Sequence, residues 1–163
     1  MRYIFTKFTT ELDHTAKTIF HILAMYLPNI HLKRFFYKLR GTILGKHVDI
    51  APMVFLEEAY PDLITIKDNA DLGPGVIIVT HDSSHRCVSP GASVRKGKIV
   101  INRNVYVGAG AIILPGVTIG ENSIIGAGSV VTKDIPSNSV AVGVPAKVIC
   151  TVDDYIKRKG AGK

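Results

Sequence analysis

The sequence predicts an all-β solenoid in which the chain winds into triangular coils, and two regularities lead to this prediction. An aliphatic residue recurs at every sixth position of the second half, at Ile101, Val107, Ile113, Ile119, Ile125 and Val131. Glycine directly follows three of these positions, at Gly108, Gly120 and Gly126. A helical stripe repeats at 3.6 residues and a plain strand at 2, so neither explains a period of six. A short strand plus a corner does, and three such sides complete a coil of about 18 residues.

The same six-residue frame occurs twice more in the first half of the chain. Its aliphatic positions there are, in chain order, Leu44, Ile50, Leu56, Ile66, Leu72 and Ile78. Leu56 and Ile66 are ten positions apart instead of six, because four extra residues (60–63) interrupt the frame there. Three aliphatic positions per group indicate one coil per group, with each position on a different side of a prism. Parallel pairing of successive coils then buries these side chains as the core.

Composition and charge narrow the functional class before any motif is considered. The chain has 163 residues, 47% of them hydrophobic, which suits one domain with a sizeable core. The net charge is +7, and residues 1–41 hold seven basic and two acidic residues, so +5 of that charge lies there. This excess favours contact with a membrane surface over nucleic-acid binding. The two cysteines exclude a disulfide framework, and we expect a cytoplasmic protein. The basic excess adds the option of a peripheral contact with the inner face of the membrane.

The ends of the chain are predicted to be helical. Residues 12–27 and 30–39 read as two helices separated by Pro28. These helices either cap the open first coil or lie on a membrane surface, and the sequence leaves both open. The predicted parts are an N-terminal helical segment (1–43), a solenoid (44–150) with a loop insertion (84–100), and a short C-terminal helix and tail (151–163).

A histidine and the insertion interrupt the regular frame at one corner. His81 falls at the corner that ends the third side of the second coil, and the polar and basic insertion follows before the frame resumes at Ile101. A long loop on a regular solenoid is more often functional than incidental. An imidazole can take a proton from a hydroxyl near neutral pH, so His81 is a candidate general base. Position alone is equally compatible with a corner histidine that has no function.

The repeats and two short motifs together resemble a known family. The motifs are THDS at residues 80–83, and TKDIP at residues 132–136 followed by VAVGVPAKVI at residues 140–149. Over roughly residues 44–150 the sequence resembles the hexapeptide-repeat acyltransferases, in particular the galactoside, maltose, nodulation-factor and polysaccharide O-acetyltransferases. The resemblance implies a left-handed parallel β-helix and a homotrimer with active sites between subunits. It also implies an acetyl-coenzyme A-dependent O-acetyltransferase acting on a saccharide or glycoconjugate.

The resemblance further implies direct transfer of the acetyl group, with His81 as the general base. The glycine-rich corner at residues 108–110 offers backbone N–H groups to the oxyanion. Glu57 and Glu58 lie one coil before His81, where one of them could orient the imidazole or bind a sugar hydroxyl, or both could simply be solvated. His85, in the insertion, is a further acceptor-binding candidate. Phe55 stands where the galactoside branch has an acceptor-binding asparagine, so the acceptor itself stays open.

The donor side is assigned by the same resemblance. The TKDIP and VAVGVPAKVI segments match those with which the family holds acetyl-coenzyme A in the groove between two prisms. Ala109 and Ala127 leave room for a pantetheine arm, and Lys133 and Lys147 can meet phosphates as point charges. The predicted donor-binding residues are Gly108, Ala109, Ala127, Thr132, Lys133 and Lys147. No metal is expected.

Three other functions stay open at this point. An N-acetyltransferase on an amino sugar is the nearest, because a histidine base serves an amine equally well. A carbonic anhydrase of the same fold would need three histidine ligands on a metal, and the candidates are His47, His81 and His85. A noncatalytic scaffold is the third, and His81 together with the TKDIP motif argues against it.

Overall fold

Three parallel sheets form the faces of a triangular prism in the computed structural model, which describes residue 16 and residues 18–160. The first face contains β1 (Ile43–Leu44), β4 (Ile64–Ile66), β9 (Ile99–Ile101) and β12 (Thr118–Ile119). The second contains β2 (Asp49–Ile50), β5 (Asp71–Leu72), β10 (Tyr106–Val107), β13 (Ile124–Ile125), β15 (Ser139–Gly143) and β16 (Ala146–Thr151). The third contains β3 (Phe55–Leu56), β6 (Ile77–Ile78), β11 (Ile112–Ile113) and β14 (Val130–Val131).

The register between coils is the one that the six-residue period predicts. Leu44 lies opposite Ile66 on the first face, and Leu56 lies opposite Ile78 on the third. The aliphatic positions of the frame face the interior, where they form the core with exposed fractions of 8% or less. At the corners the backbones themselves touch: a Cβ added to Gly108 would stand 2.5 Å from the backbone nitrogen of Ala127. The predicted solenoid and the phase of its repeats are therefore confirmed.

Helices lie at both ends of the prism. Residues 18–26 are helical and are called α1 here, and α2 is Ile30–Leu39. At the other end, β15 and β16 form an antiparallel pair that is followed by α4 (Val152–Gly160). The other parts of the predicted helix over 12–27, and the predicted tail at 161–163, lie outside the described residues. None of the helices within the described part of the chain is long and apolar enough to cross a bilayer.

Helix α2 covers the open end of the first coil. The hydroxyl of Tyr37 donates to the carbonyl of Val54 at 2.7 Å, and the Nζ of Lys33 donates to the carbonyl of Ile50 at 3.3 Å. In the later coils such carbonyls accept from the backbone of a neighbouring coil. Since the first coil has no coil before it, side chains of α2 supply the missing donors, and burial at this interface lowers the pKa of Lys33.

The insertion after His81 is ordered. Strands β7 (His81–Asp82) and β8 (Arg95–Lys96) form an antiparallel hairpin, and the short helix α3 (Ser84–Val88) lies between them. Strand β9 begins at Ile99, whose side chain is fully buried. The last two residues of the predicted 84–100 insertion therefore already belong to the solenoid.

Candidate active site

The closest polar contact at the corner of the third face joins His81 to Glu57. The Nδ1 atom of His81 lies 2.6 Å from the Oε2 atom of Glu57. The pairing brings together two successive coils, because Glu57 follows β3 and His81 follows β6 on the same sheet. The His81 side chain is 30% exposed and that of Glu57 is 6% exposed, so the imidazole faces solvent and the carboxylate lies behind it.

Backbone amides hold the Glu57 carboxylate in place. Its Oε1 atom accepts from the N–H of Glu58 at 2.9 Å and from that of Ala59 at 3.1 Å. With Oε2 facing His81, the carboxylate acts as an acceptor in each of these contacts. The matching arrangement puts the proton of the neutral imidazole on Nδ1 and leaves the lone pair of Nε2 free to accept a proton.

Tyr60 is a part of this site that the sequence analysis missed. It precedes a 3₁₀ helix (Pro61–Leu63) formed by the four extra residues of the first coil. The ring of Tyr60 stands edge-on to the imidazole of His81, with 5.6 Å between the ring centres. The Nζ of Lys96 lies over the same ring, 3.8 Å from its centre. The frame shift at residues 60–63 marks extra residues in this coil, but no spacing in the sequence specifies which side chains they meet.

Glu58 does not face His81. Its Oε1 atom lies 3.5 Å from the Nε2 atom of His21 on α1, and the Nδ1 atom of His21 lies 2.8 Å from a guanidinium nitrogen of Arg40. Burial, reinforced by the charge of Arg40 and opposed by that of Glu57, lowers the pKa of His21 to about 4. His21 is therefore neutral near pH 7 and accepts from Arg40, which also donates to the carbonyl of Glu57 at 3.0 Å.

Phe55 and His85, the other two residues considered for the acceptor site, have different surroundings. Phe55, at the position of the galactoside branch's asparagine, packs edge-on against His21 with 5.0 Å between the ring centres. The N-terminal helices therefore occupy the space beside it. His85 is exposed on α3 and takes no part in the hydrogen bonds of the His81–Glu57 pair.

The predicted donor residues lie at two different corners of the prism. Ala109 and Ala127 are exposed at the corner after β10 and β13, where the N–H of Gly128 donates to the carbonyl of Ala109 at 2.9 Å. Lys147 lies on β16, at the outer end of the same second face. Thr132 and Lys133 follow β14 on the third face, at the corner that carries His81. The third face thus separates the two groups within one chain.

Two of the backbone N–H groups expected to bind the oxyanion at residues 108–110 are already hydrogen-bonded within the fold. The N–H of Gly108 donates to the carbonyl of Ile125 at 2.8 Å, and that of Gly110 donates to the carbonyl of Pro74 at 2.9 Å. Both bonds belong to the stacking of the coils, so the expectation is wrong for these two amides. Within the described residues, the N–H of Ala109 between them has no backbone acceptor.

The corner of His81 also carries a cavity of about 270 Å³. It lies between the β7–β8 hairpin and the coil corners, with Arg95, Lys96, Leu114 and Thr132 in its walls. No group of three or more His, Cys, Asp or Glu side chains in the described part of the chain could hold a metal ion. His47 precedes β2 and lies at a different corner from His81, so the set needed for the carbonic anhydrase alternative is not assembled within one chain.

Comparison with known proteins agrees with the fold. The model of the bacterial transferase hexapeptide family (six repeats) matches residues 98–133. The chain is 40% identical over 134 residues to the galactoside O-acetyltransferase of Escherichia coli (strain K12), an alignment that covers 81% of this chain and 59% of the relative. The chain spans 48–59% of the length of the first curated relatives that it matches.

Two solved structures extend the comparison over most of both chains. A galactoside acetyltransferase in complex with coenzyme A has a TM-score of 0.71 and 28% identity, with 90% of this chain and 84% of that chain covered. A maltose O-acetyltransferase from Clostridium difficile 630 has a TM-score of 0.63 and 30% identity, with 86% and 84% covered. With its three-faced left-handed β-helix, the chain therefore belongs to the hexapeptide-repeat acetyltransferases, in the branch of the galactoside and maltose O-acetyltransferases.

Proposed function

We propose that the chain is an acetyl-coenzyme A-dependent O-acetyltransferase that acts on a saccharide hydroxyl. The observation that carries the proposal is the pairing of His81 with a buried Glu57 at 2.6 Å, beside an ordered insertion and a cavity. The family supplies the acyl-transfer chemistry, and a coenzyme A complex of a similar enzyme supports the donor.

His81 acts as the general base in this mechanism. Its Nε2 takes the proton of the acceptor hydroxyl while that oxygen forms a bond to the thioester carbonyl carbon. Glu57 stabilises the imidazolium that results and keeps the ring in one orientation. When the carbon–sulfur bond breaks, the imidazolium returns the proton to the leaving thiolate. The products are the acetyl ester and the free thiol, so direct transfer needs no acyl-enzyme.

The donor-binding residues fit a site between two copies of the chain. The third face separates the corner of Ala109 and Ala127 from the corner of His81 and Thr132 within one chain. In a trimer, the corner of Ala109 and Ala127 in one chain can face the corner of His81 in its neighbour across a shared groove. We propose a homotrimer in which Ala109, Ala127 and Lys147 of one chain bind the donor whose acetyl group is transferred at His81 of its neighbour.

Helix α2 caps the first coil, and we propose that residues 1–41 also contact a membrane surface. One side of α2 binds the carbonyls of the first coil, as Tyr37 and Lys33 do. The outer sides of α1 and α2 expose large apolar side chains, namely Ile19, Ile22, Leu23, Tyr26, Leu32, Phe35 and Leu39. Basic residues accompany them, so this surface has the apolar and cationic character that binds anionic lipid.

The experiment that tests the activity is a screen of acceptors. Thiol release from acetyl-coenzyme A is measured with neutral, acidic and amino sugars, both free and lipid-linked, and the products are treated with mild alkali. An alkali-labile acetyl ester on a hydroxyl is the expected product. An alkali-stable amide, formed on amino sugars alone, would make the chain an N-acetyltransferase instead. Transfer to no saccharide would contradict the proposed function.

A further inference from the structure

Backbone pairing holds Lys96 beside the candidate base. In the β7–β8 hairpin Lys96 lies opposite His81, and the N–H of Gly97 donates to the carbonyl of Thr80 at 2.8 Å. The Nζ of Lys96 lies 3.8 Å from the centre of the Tyr60 ring, whose edge meets the imidazole. The ammonium group of Lys96 and the imidazole of His81 therefore both contact the Tyr60 ring.

The ammonium group of Lys96 keeps its charge available. Within the described residues no carboxylate lies within ion-pair distance of it, and its close neighbour is the face of Tyr60. An aromatic face attracts a cation but leaves N–H donors free for an anion. Residues 84–98 add to the positive potential, since they hold four basic and no acidic residues, namely Arg86, Arg95, Lys96 and Lys98.

The phosphates of the acetyl-coenzyme A donor lie too far from the reacting thioester to be the group that Lys96 binds. Transfer requires the thioester carbonyl to lie against the hydroxyl that His81 deprotonates. The pyrophosphate of coenzyme A is separated from its sulfur by the whole pantetheine arm, which contains two amide-linked units. Lys133, the lysine at this corner that is predicted to meet the phosphates, follows β14, two coils further along the face than the coil of His81. Lys96, which shares the Tyr60 ring with the imidazole, therefore lies nearer to the acceptor than to those phosphates.

We infer that the acceptor is an anionic saccharide, whose carboxylate or phosphate binds Lys96 while one of its hydroxyls lies against His81. The inference rests on the proposed acetyl transfer and names the substrate class for it. Arg95 also lines this cavity, but the carboxylate of Asp82, its partner in the hairpin, offsets its charge, so Lys96 supplies the excess positive charge at that corner. Lys96 and His81 both contact the Tyr60 ring, so one sugar can present its anionic group to the lysine and a hydroxyl to the base.

The test compares matched acceptors that differ only in charge. Galactose, galacturonate and galactose 6-phosphate are assayed as acceptors with the intact protein, and the glucose series is assayed alongside. The expected result is a kcat/KM at least tenfold higher for an anionic sugar than for its neutral counterpart, since a charge-assisted hydrogen bond contributes about ten- to a hundredfold. This preference should shrink as salt rises. Comparing galacturonate with galactose 6-phosphate shows whether the enzyme prefers a carboxylate or a phosphate on the acceptor.

Lys96→Met tests the residue, and Lys98→Met is its matched control. Methionine keeps an apolar side chain over Tyr60 but removes the charge, whereas Lys98 is an exposed lysine of the same insertion. We expect Lys96→Met to lose at least about tenfold in kcat/KM on the anionic sugars, a larger loss than on the neutral sugars, while its KM for acetyl-coenzyme A stays unchanged. Lys98→Met should resemble the parent protein.

The outcomes that overturn the inference differ from those that overturn the proposed function. Equal use of neutral and anionic sugars, or equal behaviour of the two variants, contradicts the inference while leaving acetyl transfer intact. A raised KM for acetyl-coenzyme A in Lys96→Met assigns the lysine to the donor and also contradicts it. Calorimetric binding of galacturonate and galactose 6-phosphate provides a readout without turnover. If Lys96→Met binds these sugars as well as the parent does, the inference is wrong.

Discussion

The Oε2 atom of Glu57 lies 2.6 Å from the Nδ1 atom of His81, although 24 positions separate the two residues in the chain. The distance follows from the pairing of β3 with β6, which puts the corner residues of successive coils above one another. A buried carboxylate behind a partly exposed imidazole fixes the tautomer of the ring and favours its protonated form during transfer.

Replacing Glu57 should lower turnover more than substrate affinity. In Glu57→Ala the imidazole loses its orienting partner, and we expect kcat to fall more than tenfold with little change in the KM for acetyl-coenzyme A. Glu57→Gln keeps an acceptor for the Nδ1 proton and should retain more activity than the alanine variant. Steady-state kinetics of both variants, with thermal melting as a check on folding, make the measurement.

Glu58→Gln is the matched control for that comparison. Its carboxylate faces His21 and not His81, so turnover should stay within a few-fold of the parent. Equal losses in Glu57→Gln and Glu58→Gln would show that the pairing seen here does not govern the reaction.

The buried His21 should make stability depend on pH. Its pKa is about 4 in the folded chain and 6.5 in the unfolded chain, so the unfolded chain binds more protons between these values. The stability that neutral His21 contributes is complete above pH 6.5 and is lost as the pH falls towards 4. The free energy of unfolding changes by at most about 1.4 kcal/mol per pH unit in this range. Urea unfolding at several pH values should show a flatter dependence for His21→Asn. Identical pH dependence of the parent and the variant would contradict this account.

Charge placed in the interior ladders should prevent normal folding. Ile113 and Ile125 are fully buried, so aspartate at either position leaves an unpaired carboxylate inside the prism at a cost of several kcal/mol. Ile156→Asp is the control, because Ile156 is 59% exposed on α4. We expect melting temperature and soluble yield to drop for the first two variants only. Unchanged melting of both interior variants is the result that would refute the assigned register.

The surface of α1 and α2 should bind anionic vesicles. Attraction of basic residues to anionic lipid is about 1 kcal/mol for each Lys or Arg near the surface and is screened by salt. Cosedimentation with phosphatidylserine vesicles should therefore be strong at low salt, fade as salt rises, and weaken in Lys38→Glu. Lys157→Glu on α4 makes the same change in charge elsewhere and serves as the control. If no binding occurs even at low salt, the surface contacts another copy of the chain or solvent, and the membrane proposal fails.

The fold could be predicted from the sequence to a large extent because the period of six is a local property. Each aliphatic position, such as Ile113, is buried by its own coil and the next one, so the spacing alone fixes the register. Helix α2 was predicted with the bounds that the structure has, since Pro28 and Asn29 mark its start and Arg40 and Gly41 follow its end.

The site was predictable only in part, because its contacts cross between coils and loops. The corner of His81 follows from the frame, whereas the choice between Glu57 and Glu58 depends on backbone amides that orient one carboxylate and not the other. Tyr60 and Lys96 meet because an insertion in one coil and a hairpin in the next lie at the same corner. No spacing in the sequence encodes that meeting.

Removal of the imidazole of His81 tests the proposed mechanism most directly. The measurement is thiol release from acetyl-coenzyme A by His81→Ala on an acceptor that the parent acetylates, with the assembly state followed by light scattering. The account predicts a loss of about 10²- to 10⁴-fold in kcat with unchanged assembly, since the side chain is partly exposed at a corner. His31→Ala, which removes an exposed imidazole from α2, should keep full activity. Activity of His81→Ala within a few-fold of the parent would contradict the account.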